Sequence, residues 1–408
     1  MSEKTINKVP NVPNLRFRQF VNPYKIWKCS DFLKFFPTNS LSWDQLSYTE
    51  QNEFLNLHYG LIHNGAPTLI DCERYQLPYI QINIKNYTLC DDGDVIFADA
   101  SEDTKDICKP VEFINISKNN VVCGLHTIHA RDYQNLTILG YKGYLFSSYN
   151  FHKQVHRLTQ GTKIFSINSS NFKEMFVGIP EKAEQKEIVL FLAKIDERID
   201  TQSKIIDNLE SLIKGIRYII FSGNHSLYNE TYTSKLGNFL DEYTQKNINN
   251  NLRSASVGKY GIRMRDEIYS KDLTNDYSKN KVIYKDTLSI GMGSTQIDIG
   301  ILLEDNIYCI SPAYTTYKIQ GINSFYLNEY LIYLNPLLSK RYMVIGARQG
   351  KSVNKSELMV HEMELHSVIQ QLEIVKIFSS IYTKLKKEKD ILSLYKKQKA
   401  YLLQNMFI

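Results

Sequence analysis

The chain has 408 residues, 43% hydrophobic and 23% charged, with a formal net charge of +6. That balance is ordinary for a globular protein, and the length exceeds one core, so two or three domains are expected. The longest apolar run, 188–193, is too short to cross a bilayer, and MSEKTINKVPNVPNLRF lacks the apolar centre of a signal peptide, so the expected location is cytoplasmic.

The mild positive charge leans towards an anionic partner. Six cysteines without a CxxC are expected as buried or free thiols rather than a disulfide framework. The 28 tyrosines suit a recognition surface, although coding bias in an AT-rich genome gives the same count.

In chain order, Cys29 to Phe36 has the pattern of a short amphipathic helix. Extended runs follow at Tyr79–Ile84 and Asp94–Ala98, the latter after the turn Asp91-Asp92-Gly93-Asp94. A helix is expected around Tyr144 to Leu158, a turn at Gln160-Gly161, and a strand at Phe172–Val177.

From Glu184 to Phe221, steps of four and three give Ile188, Leu192, Ile195, Ile199, Gln202, Ile206, Leu209, Ile213, Ile216 and Ile220. Nine of these ten are apolar, the seam of a coiled coil, on a helix about 57 Å long. Pro180 is placed in its first turn by this pattern and Gly223 just past its end.

The stretch recurs 186 residues later: Gln185, Glu187, Ile188, Val189, Ile195, Ile205 and Phe221 return as Gln371, Glu373, Ile374, Val375, Ile381, Ile391 and Phe407. The second seam runs Ile374, Phe378, Ile381, Leu385, Glu388, Leu392, Tyr395, Lys399, Leu402, Met406, after a capping box at Ser367–Gln370. Both seams carry a polar residue at the matching place, Gln202 and Glu388, a pair of the kind that can fix register.

Between the helices, Leu236–Tyr243 matches the early helix, Lys285–Ile290 the strand near Asp94, and Gln349–Leu358 the stretch from Gln160 to Asn168. A further helix is expected at Leu327–Leu338. The expected domains are therefore 1–180, a helix 181–222, 223–366, and a helix 367–408.

Catalytic motifs are missing. Gly346-Ala347-Arg348-Gln349-Gly350-Lys351-Ser352 has three residues between its glycines where a P-loop has four, so its amides cannot wrap a phosphate in that way. Its side chains suit either a loop that grips DNA or a solvated turn. His152 and His156 share a helix face but have no third ligand beside them, and no metal site is expected there or at His126 and His129. No two prolines are adjacent, so the Pro-Pro-aromatic signature of an adenine methyltransferase is missing. The lysine-rich C-terminal helix is a solvated face or a docking surface for an acidic partner.

Several stretches resemble the specificity subunits of type I restriction–modification systems. They are Asn14–Phe17, Asp92–Asp103, Val122–Ile128, Gln160–Lys163, Ser311–Thr315, and Ile179-Pro180 followed by Glu184–Ile188. The resemblance implies an α+β fold: two globular α/β target recognition domains separated by two long helices packed as an antiparallel coiled coil. In that packing, Ile188, Leu192, Ile195, Ile199, Gln202, Ile206 and Leu209 face the seam of Ile374, Ile381, Leu385, Glu388 and Leu392.

It further implies a non-catalytic subunit that binds an asymmetric, bipartite site in double-stranded DNA. Two methyltransferase subunits and the restriction subunits would be its partners, and S-adenosylmethionine, ATP and Mg²⁺ would belong to them. The candidate DNA contacts are Tyr59, His63, Lys163, Ser166 and Asn168 in the first domain, and Arg253, Lys259, Arg348, Gln349, Lys351 and Asn354 in the second. Tyr59, Gly60 and His63 resemble a loop of that family. The alternatives are a coiled-coil adaptor that binds only proteins, and a self-sufficient nuclease or nucleotide hydrolase.

Overall fold

The structure is a computed structural model that describes residues 11–85, 87–103, 106–116, 119–159, 161, 164–223, 230–258, 261–268, 276–346 and 350–408. The chain forms two compact units, Met1–Ser203 with Ile391–Ile408, and Lys204–Asp390.

In the first unit a five-stranded sheet has the order Leu33–Phe36, Thr127–Asp132, Val95–Ala98, Pro110–Ile114, Leu69–Asp71, antiparallel except for its last pair. Alternation along Val95–Ala98 sends side chains to opposite faces, so this one strand feeds two cores. Val95 and Phe97 join the helices Tyr141–Phe146 and Tyr149–Leu158, while Ile96 and Ala98 join Leu57, Ile62, Cys90, Val121 and Cys123. A smaller sheet of Asn120–Cys123, Phe54–Leu57, Tyr79–Ile80 and Leu46–Ser47 stands on that second side.

The 40-residue helix Lys182–Phe221 follows the strand Phe176–Ile179, which pairs with Lys25–Lys28. Ile188, Leu192 and Ile195 are buried in the same core as Leu402, Met406 and Phe407 of the chain's end. Lys399 pairs with Asp196 at 2.6 Å, the Arg198 guanidinium lies over the Tyr395 ring, and Tyr24 Oη donates to both Glu184 and the Met406 carbonyl. Rising numbers meet falling numbers, so the packing is antiparallel. Ile199 is half-buried against this core and Gln202 is buried.

In the second unit, the sheet Leu240–Tyr243, Thr315–Ile319, Thr287–Met292, Ile297–Leu302 is wholly antiparallel. A second sheet joins Gly261–Met264, Ser254–Gly258, Tyr308–Ile310 and Lys281–Ile283. Here too the helices are antiparallel, since Glu210 meets Lys389 at 2.6 Å and Arg217 meets the Tyr382 hydroxyl at 3.0 Å. Ile206, Ile213, Ile220, Ile374, Phe378 and Leu385 are buried, and Leu209, Ile381 and Glu388 are half-buried. The 38-residue helix Val368–Asn405 carries Leu392 half-buried within the first unit. Each unit's helical segment is thus buried along one stripe, as a 3.5-residue period demands.

Several local expectations are corrected. Cys29–Phe36 is one helical turn, Cys29–Phe32, followed by the strand Leu33–Phe36, because Leu33, Phe35 and Phe36 pair with the neighbouring strand instead of winding on. Leu236–Tyr243 divides in the same way, into a turn at Leu236–Phe239 and a strand. The expected helix from Tyr144 is two helices, since Ser148 accepts from the Phe151 amide and starts a new one. Strand Tyr79–Ile80 stops short of Ile84. Phe172 lies in the short helix Ser169–Lys173, with the strand beginning at Phe176. Pro180 precedes the long helix rather than entering it.

Candidate nucleic-acid interface

In the first unit, four candidate residues gather around one cleft of about 730 Å³. Its lining includes Phe35, Thr38, Asp99, His126, Ser166 and Asn168, with the cation Lys173 at its margin. The helix Tyr59–His63 supplies the aromatic side. Tyr59 lies 5.3 Å from the His126 ring and 5.8 Å from His63, and His63 Nε2 donates to the Ala100 carbonyl at 2.8 Å.

Before that helix, His58 accepts from the Gly60 amide at 3.1 Å and packs 4.5 Å from the Trp43 ring. A Cβ on Gly60 would meet the Trp43 ring and His58 Nδ1 at 3.2 Å, a tight contact that glycine avoids. His126 takes a left-handed φ of 54° in the short link between strands, and its Nδ1 is 3.2 Å from Asp99. Burial pushes the Asp99 carboxyl above its ordinary range, opposed by His126. Burial also lowers His58, and His126 adds to that lowering.

Asn168 has a second occupation. Its side chain accepts from the Asn171 amide at 2.7 Å and caps the helix Ser169–Lys173. Asn354, 186 residues on, caps Lys355–Met359 by accepting from the Glu357 amide. Both are helix starts in the same place of the duplicated frame, and each keeps its amide nitrogen for other contacts. Ser166 is exposed on the strand Phe165–Ser166.

In the second unit, Lys351 lies on the hairpin Met343–Gly346/Gly350–Val353 and donates to the Ser294 carbonyl at 2.6 Å. Ser294 lines a cleft of about 370 Å³ with Ser256, Gln296, Asp298 and Tyr314. Arg253 is placed differently. It pairs with Asp266 at 2.7 Å and lies 3.6 Å from Glu267, all three side chains exposed. Lys163, Lys259, Arg348 and Gln349 lie outside the described residues.

Sequence reading weighed His126 only as a metal ligand and overlooked Lys173 and Asp99. The stretches Val122–Ile128 and Asp92–Asp103 hold His126 and Asp99, and no local pattern marks Lys173. His156 is exposed, beside His152 on the helix Tyr149–Leu158. His152 is partly buried, which lowers it to about 4, and His156 lowers it further.

Hydroxyls, an amide and a cation line the cleft, with edge-to-face aromatic rings beside it, and groups of these kinds meet phosphates and base edges.

Residues 71–211 match the family model described as type I restriction modification DNA specificity domain. A type I restriction–modification S subunit from M. genitalium shares the fold at 15% identity and TM-score 0.53, over 97% of this chain and 99% of that one. A chain from a type I restriction–modification system, solved in work on complex assembly and conformational transition, aligns at 14% identity and TM-score 0.54, over 93% and 96%. None of the curated proteins matches the chain. Among the described residues, no helix is long and apolar enough to cross a membrane. Residues 71–211 are thus similar to the type I restriction modification DNA specificity domain, and the chain shares its fold with a type I restriction–modification S subunit.

Proposed function

We propose that this chain is the DNA-recognition subunit of a type I restriction–modification complex. It binds an asymmetric, bipartite site and positions adenine-N6 methyltransferase and restriction subunits. The observation that carries the reading is the specificity-domain match over residues 71–211, falling on the unit that holds the aromatic-edged cleft. The duplicated helix supports two readers. The globular parts between the repeated helices diverge, so the two half-sites should differ in sequence.

In this reading the chain is non-catalytic: the methyl donor, ATP and Mg²⁺ act in the partner subunits, and two methyltransferase subunits dock on the helices. Backbone contacts set affinity and register, while base-edge contacts from the clefts set sequence.

The test is to map modified adenines in host DNA with and without this chain. One split motif, lost on deletion, is the expected result. A methylation pattern unchanged by deletion, together with no sequence preference of the chain–methyltransferase complex, would overturn the proposal in favour of a protein-binding adaptor.

A further inference from the structure

Behind the His126 link, three side chains from three different segments meet in the interior of the first unit. Cys90 Sγ and Cys123 Sγ are 3.3 Å apart. A ring nitrogen of His129 completes the group, with all three ligand atoms within 4.8 Å of one another. The residues are 3%, 2% and 0% exposed.

His129 is oriented from behind. Its Nε2 is 2.7 Å from Asp94 Oδ2, and that carboxylate is held by Arg131 through Nε at 2.7 Å and Nη2 at 2.8 Å. With the Nε2 proton given to Asp94, the free lone pair sits on Nδ1. That atom is buried and has no hydrogen-bond partner. An orphaned buried imidazole nitrogen beside two sulfurs calls for a ligand. A carboxylate behind a histidine is the arrangement that fixes the tautomer of a metal-binding imidazole.

We propose that Cys90, Cys123 and His129 Nδ1 bind a soft divalent cation, Zn²⁺ by preference, as a structural site. Two thiolates and a neutral imidazole are suited to that ion rather than to Mg²⁺ or Ca²⁺. Binding converts two thiols to thiolates and releases two protons, so the two negative charges balance the dication. Because both thiols must lose their protons for binding, uptake weakens as pH falls. The ion would tie the end of strand Asn120–Cys123 to Thr127–Asp132, the two strands that flank the His126 link.

The test uses the full chain, purified without chelator and also reconstituted with Zn²⁺. Elemental analysis is expected to find about one zinc per chain, released by a mercurial reagent. Co²⁺ substitution should give a thiolate-to-metal charge-transfer band. Cys90→Ser or Cys123→Ser should abolish stoichiometric binding, whereas Cys108→Ser, at a buried thiol outside the group, should retain it. Asp94→Asn should weaken affinity about 10- to 100-fold. A folded wild-type chain that takes up no Zn²⁺ or Co²⁺, and whose melting temperature is the same with Zn²⁺ and with EDTA, would leave only a buried thiol pair and overturn the proposal. This readout needs no DNA and no partner, so its failure is separable from that of the proposed function.

Discussion

At the scale of single residues, the repeat conserves a job as well as a letter. Gln185 Nε2 donates to the Pro180 carbonyl at 2.9 Å, and its Oε1 accepts from the Ile138 amide at 2.9 Å. Gln371, its counterpart, donates to the His366 carbonyl at 2.9 Å and accepts from the Asn323 amide at 3.5 Å. Each glutamine fastens the start of a long helix to the globular part beside it, and it works whether proline or histidine supplies the carbonyl. Replacing Gln185 with Leu strands buried backbone groups and should cost about 2–4 kcal/mol by urea denaturation. The cleft asparagine has two jobs that substitution can separate. Asn168→Ser keeps the cap, and Asn168→Ala should lose about 1 kcal/mol. If Asn168 also meets DNA, both variants weaken binding; a loss confined to Ala would assign it to the cap alone. His152 sets a pH dependence. Its folded pKa of about 4 lies below the ordinary 6.5, so stability is full above pH 6.5 and falls as the pH drops towards 4. Chemical denaturation across that window should show a loss of at most about 3 kcal/mol, flattened in His152→Gln.

At the scale of elements, the long helices were legible because a four-three stripe leaves one solution for where the apolar side goes. The stripe did not say what else the helices hold. In the second unit, Arg217 reaches Glu329 at 2.7 Å, and Glu329 also accepts from the Tyr382 hydroxyl at 3.1 Å. Glu329 is 1% exposed on its side chain, so Arg217→Ala leaves a buried carboxylate unpaired and should cost about 3–5 kcal/mol. Adding Glu329→Leu should recover part of that loss in a double-mutant cycle, whereas additive losses would show the two to be uncoupled. The sheets were less legible. Leu33, Phe35 and Phe36 read as one side of a helix until strand Thr127–Asp132, far along the chain, claims them. The cysteine and histidine cluster escaped for the same reason: its members come from three separate segments, and no local spacing announces such a group. The cleft was half legible. Ser166 and Asn168 line it, with Tyr59 and His63 packed against its lining residues His126 and Ala100, while Arg253 pairs with Asp266, a contact that only the fold creates.

At the scale of the whole molecule, the duplication explains why each globular part ends in a strand, a buried glutamine and a long helix. If both parts read DNA, affinity should fall steeply with salt, and each lost phosphate contact should lower the salt slope by about one. Lys351→Ala, at an exposed hairpin lysine, is the place to measure it; an unchanged slope would remove that hairpin from the interface.

The first unit borrows its last layer from the chain's far end. Leu402, Met406 and Phe407 lie in its core, the Leu15 amide donates to the Asn405 carbonyl, and the Gly178 amide donates to the Ile408 carbonyl. On the ribosome, these residues emerge only after every residue of 204–390 has been made. The first unit therefore waits, unfinished and with part of its apolar core bare, until translation has passed residue 390. A fragment ending at Ser203 should aggregate, and a peptide of residues 391–408 supplied in trans should rescue it. Synthesis thus carries its own checkpoint: a product that stops short of residues 391–408 cannot complete the first unit's core.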